Sequence, residues 1–471
     1  MSDDKFAPNE PLTHIIEFLD KAGEDKLASD VLDVFAKFSN QVEQYNLLAK
    51  LYLDLRNGER AESCALKVLN MVDTPEQKYA CRGNLGKMYN NLNQPEKSIV
   101  HTEENLKVNP NNPDSLLEKV FSLYLLGRKD EAEVILRNLK ANEHLLSEKN
   151  RITVNFNLGS YDMEQGKFLE GLEGFLVNVK KLKIWFSPRE LPYQFWNGEA
   201  PTYPGRTIIL FMEGGGIGDD FITVRWMDNL RDMGYNPIFY TGKPDVCKIF
   251  NNNGYKAVLD IDHVPSDSLW MYAMMTPIHL KVKPEEVCRV DYLEPTEQAR
   301  YKWAHIGKSS KIRIGVRWQG NSKNERDLHR QVPLDGIMQT LKSVFKDSEV
   351  EYYSLQIDDG IERLADYPEL IDVSKDIKSF DDTFAIVEHL DYVVTSCTSV
   401  LHAAAIRGVK TLGLVPISAY FTWLSPPTEG RPSNTSIWYP DNLRIFKQVK
   451  PKNWDEPFNK MKEFLLEDIS Q

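Results

Sequence analysis

The stretch Thr207-Ile-Ile-Leu-Phe-Met212, running into Glu213-Gly-Gly-Gly-Ile-Gly-Asp219, decides how the second half of this 471-residue chain is read. A short apolar run bounded by glycines reads as a buried strand. The glycines let the backbone approach a ligand and leave amides pointing at it. A helical pattern follows from about Phe221 to Met233. Strand, glycine-rich turn and helix in that order open a parallel α/β unit. The turn is not GxGxxG and no Walker lysine follows, so neither a dinucleotide site nor a P-loop fits. Two readings stay open for Asp219: a carboxylate that deprotonates a hydroxyl, or, with Asp220, a cap for the next helix.

Downstream, Asn236-Pro-Ile-Phe-Tyr240, a helix near Asp245 to Asn252, and Ala257-Val-Leu-Asp260 continue the unit. A second unit begins at Lys311, with strands Ile312 to Trp318, Tyr352 to Gln356, Tyr392 to Thr395 and Thr411 to Val415. Two such units face each other across a cleft, and open α/β sheets bind ligands at the carboxyl ends of their strands.

The loops at those ends hold the other candidates. Arg317-Trp-Gln-Gly-Asn321 closes the first strand of the second unit and leads to His329-Arg330, three residues before Pro333. Arg330 reads as a diphosphate grip or as a solvated loop arginine. In Thr395-Ser-Cys-Thr-Ser-Val-Leu-His402, the hydroxyls of Thr398 and Ser399 join the free amides of a helix start to make an anion site. His402 faces either the ligand or the sheet. Cys397, at a helix start, is placed for a lowered thiol pKa; without a base partner it reads as a packing residue. Trp423 and Trp438-Tyr-Pro440 read as stacking groups for a sugar or base, or as ordinary core.

Upstream, the period changes. Four segments repeat an amphipathic helix, a polar turn and a second helix, with turns near Gly58, Asn93, Gly127 and Gly166. Those spacings lie close to the tetratricopeptide period of 34. The second segment carries Leu85-Gly86, Tyr89, Ser98 and Pro110 at the positions of that motif, and a helical pair near 10–39 caps the stack. Such hairpins bury their apolar stripes only by stacking, and they offer a docking surface for a protein partner or a second copy of the chain.

The net charge is −12 with no basic arm, which disfavours a nucleic-acid acceptor without excluding a local basic groove. Five cysteines without CxxC spacing read as free thiols. No signal peptide or membrane span is legible, so the expected location is cytoplasmic.

Taken in order, these motifs resemble bacterial and phage proteins in which tetratricopeptide repeats precede a heptosyltransferase-like, glycosyltransferase family 9 domain. The matching residues are Trp196-Asn-Gly198 with Gly205-Arg-Thr207, Gly216-Ile-Gly-Asp219, Gly315 to Asn321, Arg330 to Leu334, Ser354-Leu-Gln356, Asp382-Thr383, Leu390-Asp391, Thr398 to His402, Trp438-Tyr-Pro440 and Arg444 to Gln448. The resemblance implies repeats over 1–182, a linker over 183–205, and a GT-B fold whose Rossmann-like lobes span 206–300 (acceptor side) and 301–471 (nucleotide-sugar side). It implies metal-independent, inverting transfer from a nucleotide sugar, with no cofactor beyond that substrate. It makes Asp219 the base. It sets the donor against Gly216, Gly218, Asn321, Arg330, Gln356, Thr398, Ser399 and His402. A phage origin would place the protein in the host cytoplasm. The acceptor is a protein, a glycan or modified DNA. One departure stands out: the family carries an aspartate where this chain has Cys397, and a thiol cannot accept two sugar hydroxyl bonds as a carboxylate can. A heptose donor is therefore not implied. The alternative is a non-catalytic repeat scaffold with a degenerate nucleotide-sugar lobe.

Overall fold

A computed structural model describes residues 10–176, 191–320, 327–357, 359–419, 421–423 and 433–470. Asn321, the end of the fourth repeat segment and the start of the linker lie outside the described residues. The chain divides into two compact units, Met1–Leu146 and Ser147–Gln471.

In the first unit helices pair as Glu10–Lys21 with Asp25–Phe38, Val42–Asp54 with Gly58–Met71, Pro75–Asn91 with Pro95–Val108, and Pro113–Leu125 with Lys129–Ala141. Their starts are written locally. Thr74 and Gln77 form a reciprocal capping box before Pro75, and the Asn112 side chain accepts from Ser115 N before Pro113. The turns use left-handed backbone at Asn93 (φ 54°) and Gly127 (φ 74°). The first turn falls near Gly58 as read from the sequence, with Arg56 (φ 60°) as its left-handed residue and Gly58 opening the next helix. A Cβ on Gly58 would come 2.7 Å from Leu92 Cδ2, so that glycine serves close packing.

In the second unit, helices Glu148–Glu164 and Phe168–Leu176 form a hairpin without room for a side chain at its crossing. A Cβ on Gly159 would lie 2.3 Å from Phe175 N. The hairpin is tied to the α/β part by Lys447 Nζ on Glu164 Oε1 at 2.6 Å.

Two all-parallel sheets follow. The first contains β1 (Gln194–Phe195), β2 (Thr207–Met212), β3 (Asn236–Thr241), β4 (Ala257–Val258) and β5 (Leu269–Tyr272), in the order β1-β5-β2-β3-β4. The second contains β6 (Ile312–Arg317), β7 (Val350–Ser354), β8 (Leu370–Asp372), β9 (Tyr392–Ser396), β10 (Lys410–Val415) and β11 (Leu443–Lys447), in the order β11-β10-β9-β6-β7-β8. Strands β1, β5, β8 and β11 were not expected from the sequence. In the first sheet the chain runs from β2 outward to β4 and then returns to place β5 on the other side of β2; in the second it runs from β6 outward to β8 and then places β9 to β11 on the other side of β6. The direction reverses between β2 and β5 and between β6 and β9, where a crevice opens at the carboxyl ends. The loops after β2, β6 and β9 are those that hold the candidate residues.

The helix after β2 starts earlier than expected. It runs over Ile217–Val224, yields at Arg225, and resumes as Trp226–Asp232. Gly218 and Asp219 therefore lie in its first turn. Among the described residues no helix is long and apolar enough to cross a membrane.

Candidate functional site

The two crevices meet. Helix Ile217–Val224 of the first sheet packs on helix Ser399–Ile406 of the second. The contact is close because residue 218 is glycine: a Cβ there would lie 2.6 Å from His402 Cδ2 and 3.0 Å from its Nε2.

On the first side, Asp219 Oδ2 accepts from Gly216 N at 2.7 Å, so the capping role is real. Burial raises its carboxyl to about 6, against the opposing pull of the Gly216 N–H and of Lys243. Asp220 is fully buried and holds Lys243 Nζ at 2.6 Å. Burial raises it to about 7, again with Lys243 opposing. Lys243 also reaches Gly214 O at 3.4 Å. It ties the end of β3 to the glycine turn and serves both carboxylates.

On the second side, Arg330 ends a four-residue helix, Asp327–Arg330, where a loop was expected. Its guanidinium lies against the backbone after β6: a Cβ on Gly320 would be 3.0 Å from Arg330 Nη2 and 3.6 Å from Thr398 Cγ2. Gly320 thus gathers Arg330 and Thr398 in one place. Thr398 is the N-cap of helix Ser399–Ile406, and its Oγ1 is 3.2 Å from Thr395 Oγ1. Ser399 is the first helical residue. Cys397 accepts from Trp423 Nε1 at 2.6 Å. Burial pushes its thiol up to about 11; nearby Arg330 and Trp423 pull down, and Asp219 pushes up further. The lowered thiol considered for a helix start is therefore corrected, because burial outweighs the adjacent cation. The close approach of Gly218 to His402, and of Gly320 to Arg330 and Thr398, is what brings the two sides together.

His402 stacks on Trp423 with ring centroids 4.5 Å apart, and its Nδ1 is 3.2 Å from Tyr439 Oη. Burial, with Arg225 adding to it, lowers the ring to about 3, so it is neutral near neutral pH. Gln356 lies behind the site. Its Oε1 accepts from Trp318 N (3.2 Å) and Gln319 N (3.1 Å), and its Nε2 donates to Gln319 O (3.1 Å) and Asp359 O (2.6 Å). That amide is spent on shaping the loop that holds Gly320. Asp382 is likewise occupied, accepting from Trp303 Nε1 at 2.8 Å and Lys302 Nζ at 2.7 Å.

The structure thus places Gly218 against His402, Gly320 against Arg330 and Thr398, and Asp219 on Gly216, all at the ends of β2, β6 and β9, while Gln356 braces the loop after β6. Sequence reasoning missed Lys243 and Arg225; Gly320 and Tyr439 lay within segments it singled out, without the roles described above. A lysine just before a helix proline was a signal for the first; the second depends on tertiary packing. Another groove, about 850 Å³, is lined elsewhere by Glu164, Arg444, Lys447, Lys460 and Glu463 and touches Trp423.

No family model matches the sequence, and no curated protein matches it. Among solved structures, a glycosyl transferase family 9 protein from Veillonella parvula is similar at 11% identity and TM-score 0.40, over 57% of this chain and 99% of that one. A mutant O-GlcNAc transferase from Thermobaculum terrenum is similar at 11% identity and TM-score 0.37, over 100% of this chain and 95% of that one. The E. coli heptosyltransferase WaaC with ADP is similar at 10% identity and TM-score 0.37, over 56% of this chain and 99% of that one. No residue role follows from likenesses this distant.

Proposed function

We propose that this chain is an inverting glycosyltransferase of the GT-B type that moves a sugar from a nucleotide-sugar donor to a hydroxyl acceptor. One observation supports the reading: the helix that carries a half-buried carboxylate, Asp219, packs on the helix whose start lies beside Arg330. Chemistry needs both parts. Asp219 Oδ2 is fixed by Gly216 N, and among the described residues its Oδ1 has no hydrogen bond. Oδ1 takes the proton of the acceptor hydroxyl as its oxygen attacks the anomeric carbon. The bond to the diphosphate breaks on the opposite face, which inverts the centre. Arg330 and the amides at Thr398 and Ser399 take up the negative charge of the leaving diphosphate, so no metal is needed for that task.

The hairpins of the first unit act, in this proposal, as a tetratricopeptide-type array that docks a protein acceptor or a second copy. The net charge of −12 speaks against DNA as the acceptor. One observation favours a second reading, a binding module without turnover. Cys397 accepts from Trp423 and leaves no carboxylate for the donor sugar at that position.

Incubation with a panel of UDP-, ADP-, GDP-, CDP- and dTDP-sugars, followed by chromatography for free nucleotide, separates the two. Transferase activity predicts nucleotide release with one donor class, abolished in Asp219→Asn. Tight binding of a nucleotide sugar without release would establish the binding module.

A further inference from the structure

We infer that Arg225 and Tyr439 are positioning residues that hold His402 in the tautomer with hydrogen on Nε2, so that the ring presents a donor to the cleft. The assignment rests on the phosphate-site reading only for its consequence, not for its geometry.

Arg225 is 1% exposed and sits where the helix after β2 breaks. Its Nη1 donates to Val287 O at 2.8 Å, and its Nη2 to Tyr292 Oη at 2.8 Å and Tyr439 Oη at 3.0 Å. The rings of Tyr292, Trp438 and Tyr439 surround it, with centroids 4.8, 5.1 and 5.2 Å away. Among the described residues no carboxylate bonds it. A buried guanidinium held by phenols and ring faces is a costly way to fill a core, and such groups are kept where they specify something. It joins helix Ile217–Val224 to the segment after β10.

The proton count gives the specification. Tyr292 already donates its single proton to Phe221 O at 2.9 Å. Tyr439 Oη accepts from Arg225, and the adjacent cation makes its own hydroxyl a better donor and a poorer second acceptor. That hydroxyl has two neighbours, the Tyr292 oxygen and His402 Nδ1. The imidazole nitrogen is far the stronger base and takes the bond. With Nδ1 accepting, a neutral ring carries its hydrogen on Nε2. Nε2 belongs to the ring edge that lies against Gly218, 3.0 Å from where a Cβ would stand there, with Cδ2 beside it at 2.6 Å. The opposite tautomer would aim a lone pair at an anionic diphosphate, so the relay converts a repulsive contact into a donor.

The test is ¹⁵N NMR of histidine-labelled full-length protein at pH 7, with the His402 signals identified by their loss in His402→Gln. The expected spectrum has a protonated Nε2 and a bare Nδ1. Tyr439→Phe keeps the ring and removes the hydroxyl; it should mix the tautomers and weaken UDP or ADP binding by about tenfold, the scale of one lost hydrogen bond to a charged group. Arg225→Met, which keeps the length and removes the charge, should shift the tautomer in the same direction. A protonated Nδ1 in the wild type, or an unchanged tautomer in folded Tyr439→Phe, would overturn the inference. The predicted tautomer in a protein that binds no nucleoside diphosphate would uphold the relay and overturn the phosphate-site reading instead.

Discussion

Replacing Gly218 with alanine asks whether the two switch points must touch for the site to work. The new Cβ would stand 2.6 Å from His402 Cδ2, where carbon–carbon contact is best at about 3.5–4.0 Å. Something must therefore move by roughly 1 Å. His402 has little room to retreat, being stacked on Trp423 at 4.5 Å and bonded to Tyr439 at 3.2 Å. Overpacking of this kind costs about 1–3 kcal/mol of stability. The effect on turnover is larger, since a misplacement of about 1 Å at a reacting site costs on the order of 100-fold. The assay pairs thermal unfolding with nucleotide release. Gly242→Ala is the control, because nothing lies within 4 Å of a Cβ there. In a His402→Ala background Gly218→Ala should lower the melting temperature no further and leave turnover low, as expected for two groups that collide directly. Wild-type turnover in Gly218→Ala would refute the claim that this contact sets the cleft.

Other perturbations separate the roles of the charged groups. A base must be ionised to act, and burial raises Asp219 to about 6; kcat/KM should therefore fall as pH drops through 6, and a flat profile between pH 5 and 7 would remove Asp219 from that role. Asp219→Asn should abolish turnover while leaving donor affinity by calorimetry nearly intact. Lys243 lowers both carboxyls, so Lys243→Met should move the acid limb of the rate profile to higher pH; an unmoved limb would show that Lys243 does not govern the base. Arg330→Ala should weaken UDP or ADP binding by about 1.5–3 kcal/mol, the scale of a charge-assisted hydrogen bond, with the melting temperature unchanged; unaltered affinity would exclude it from the phosphate grip.

What the sequence disclosed and what it hid follow from how local each signal is. The strand Thr207–Met212 was legible because a threonine and five apolar residues between glycines have little other use. Its helix was misplaced by four residues because Gly216, Gly218 and Asp219 are poor helix formers; the local cap by which Asp219 accepts the Gly216 N–H offsets that preference. Leu269–Tyr272 was missed since a four-residue apolar run is as readily a helix turn. Within the site, the hydroxyl-rich run before His402 and the arginine before Pro333 announced themselves by position. Arg225 drew no reading within its helical stretch, because its partners Tyr292 and Tyr439 lie 67 and 214 residues away in sequence. Gln356 shows the converse: a polar residue at a strand end reads as a ligand contact, but its amide is consumed by the loop beside it.

The central claim is that the nucleotide's diphosphate lies between Arg330 and the helix start at Thr398, opposite Asp219. The most direct measurement is a crystal structure of the protein soaked with UDP or ADP. The account predicts the β-phosphate within hydrogen-bonding reach of the Arg330 guanidinium and the Thr398–Ser399 amides, with Asp219 across the cleft from it. A nucleotide bound instead in the groove lined by Arg444, Lys447 and Lys460, with the Arg330 cleft empty, would contradict it.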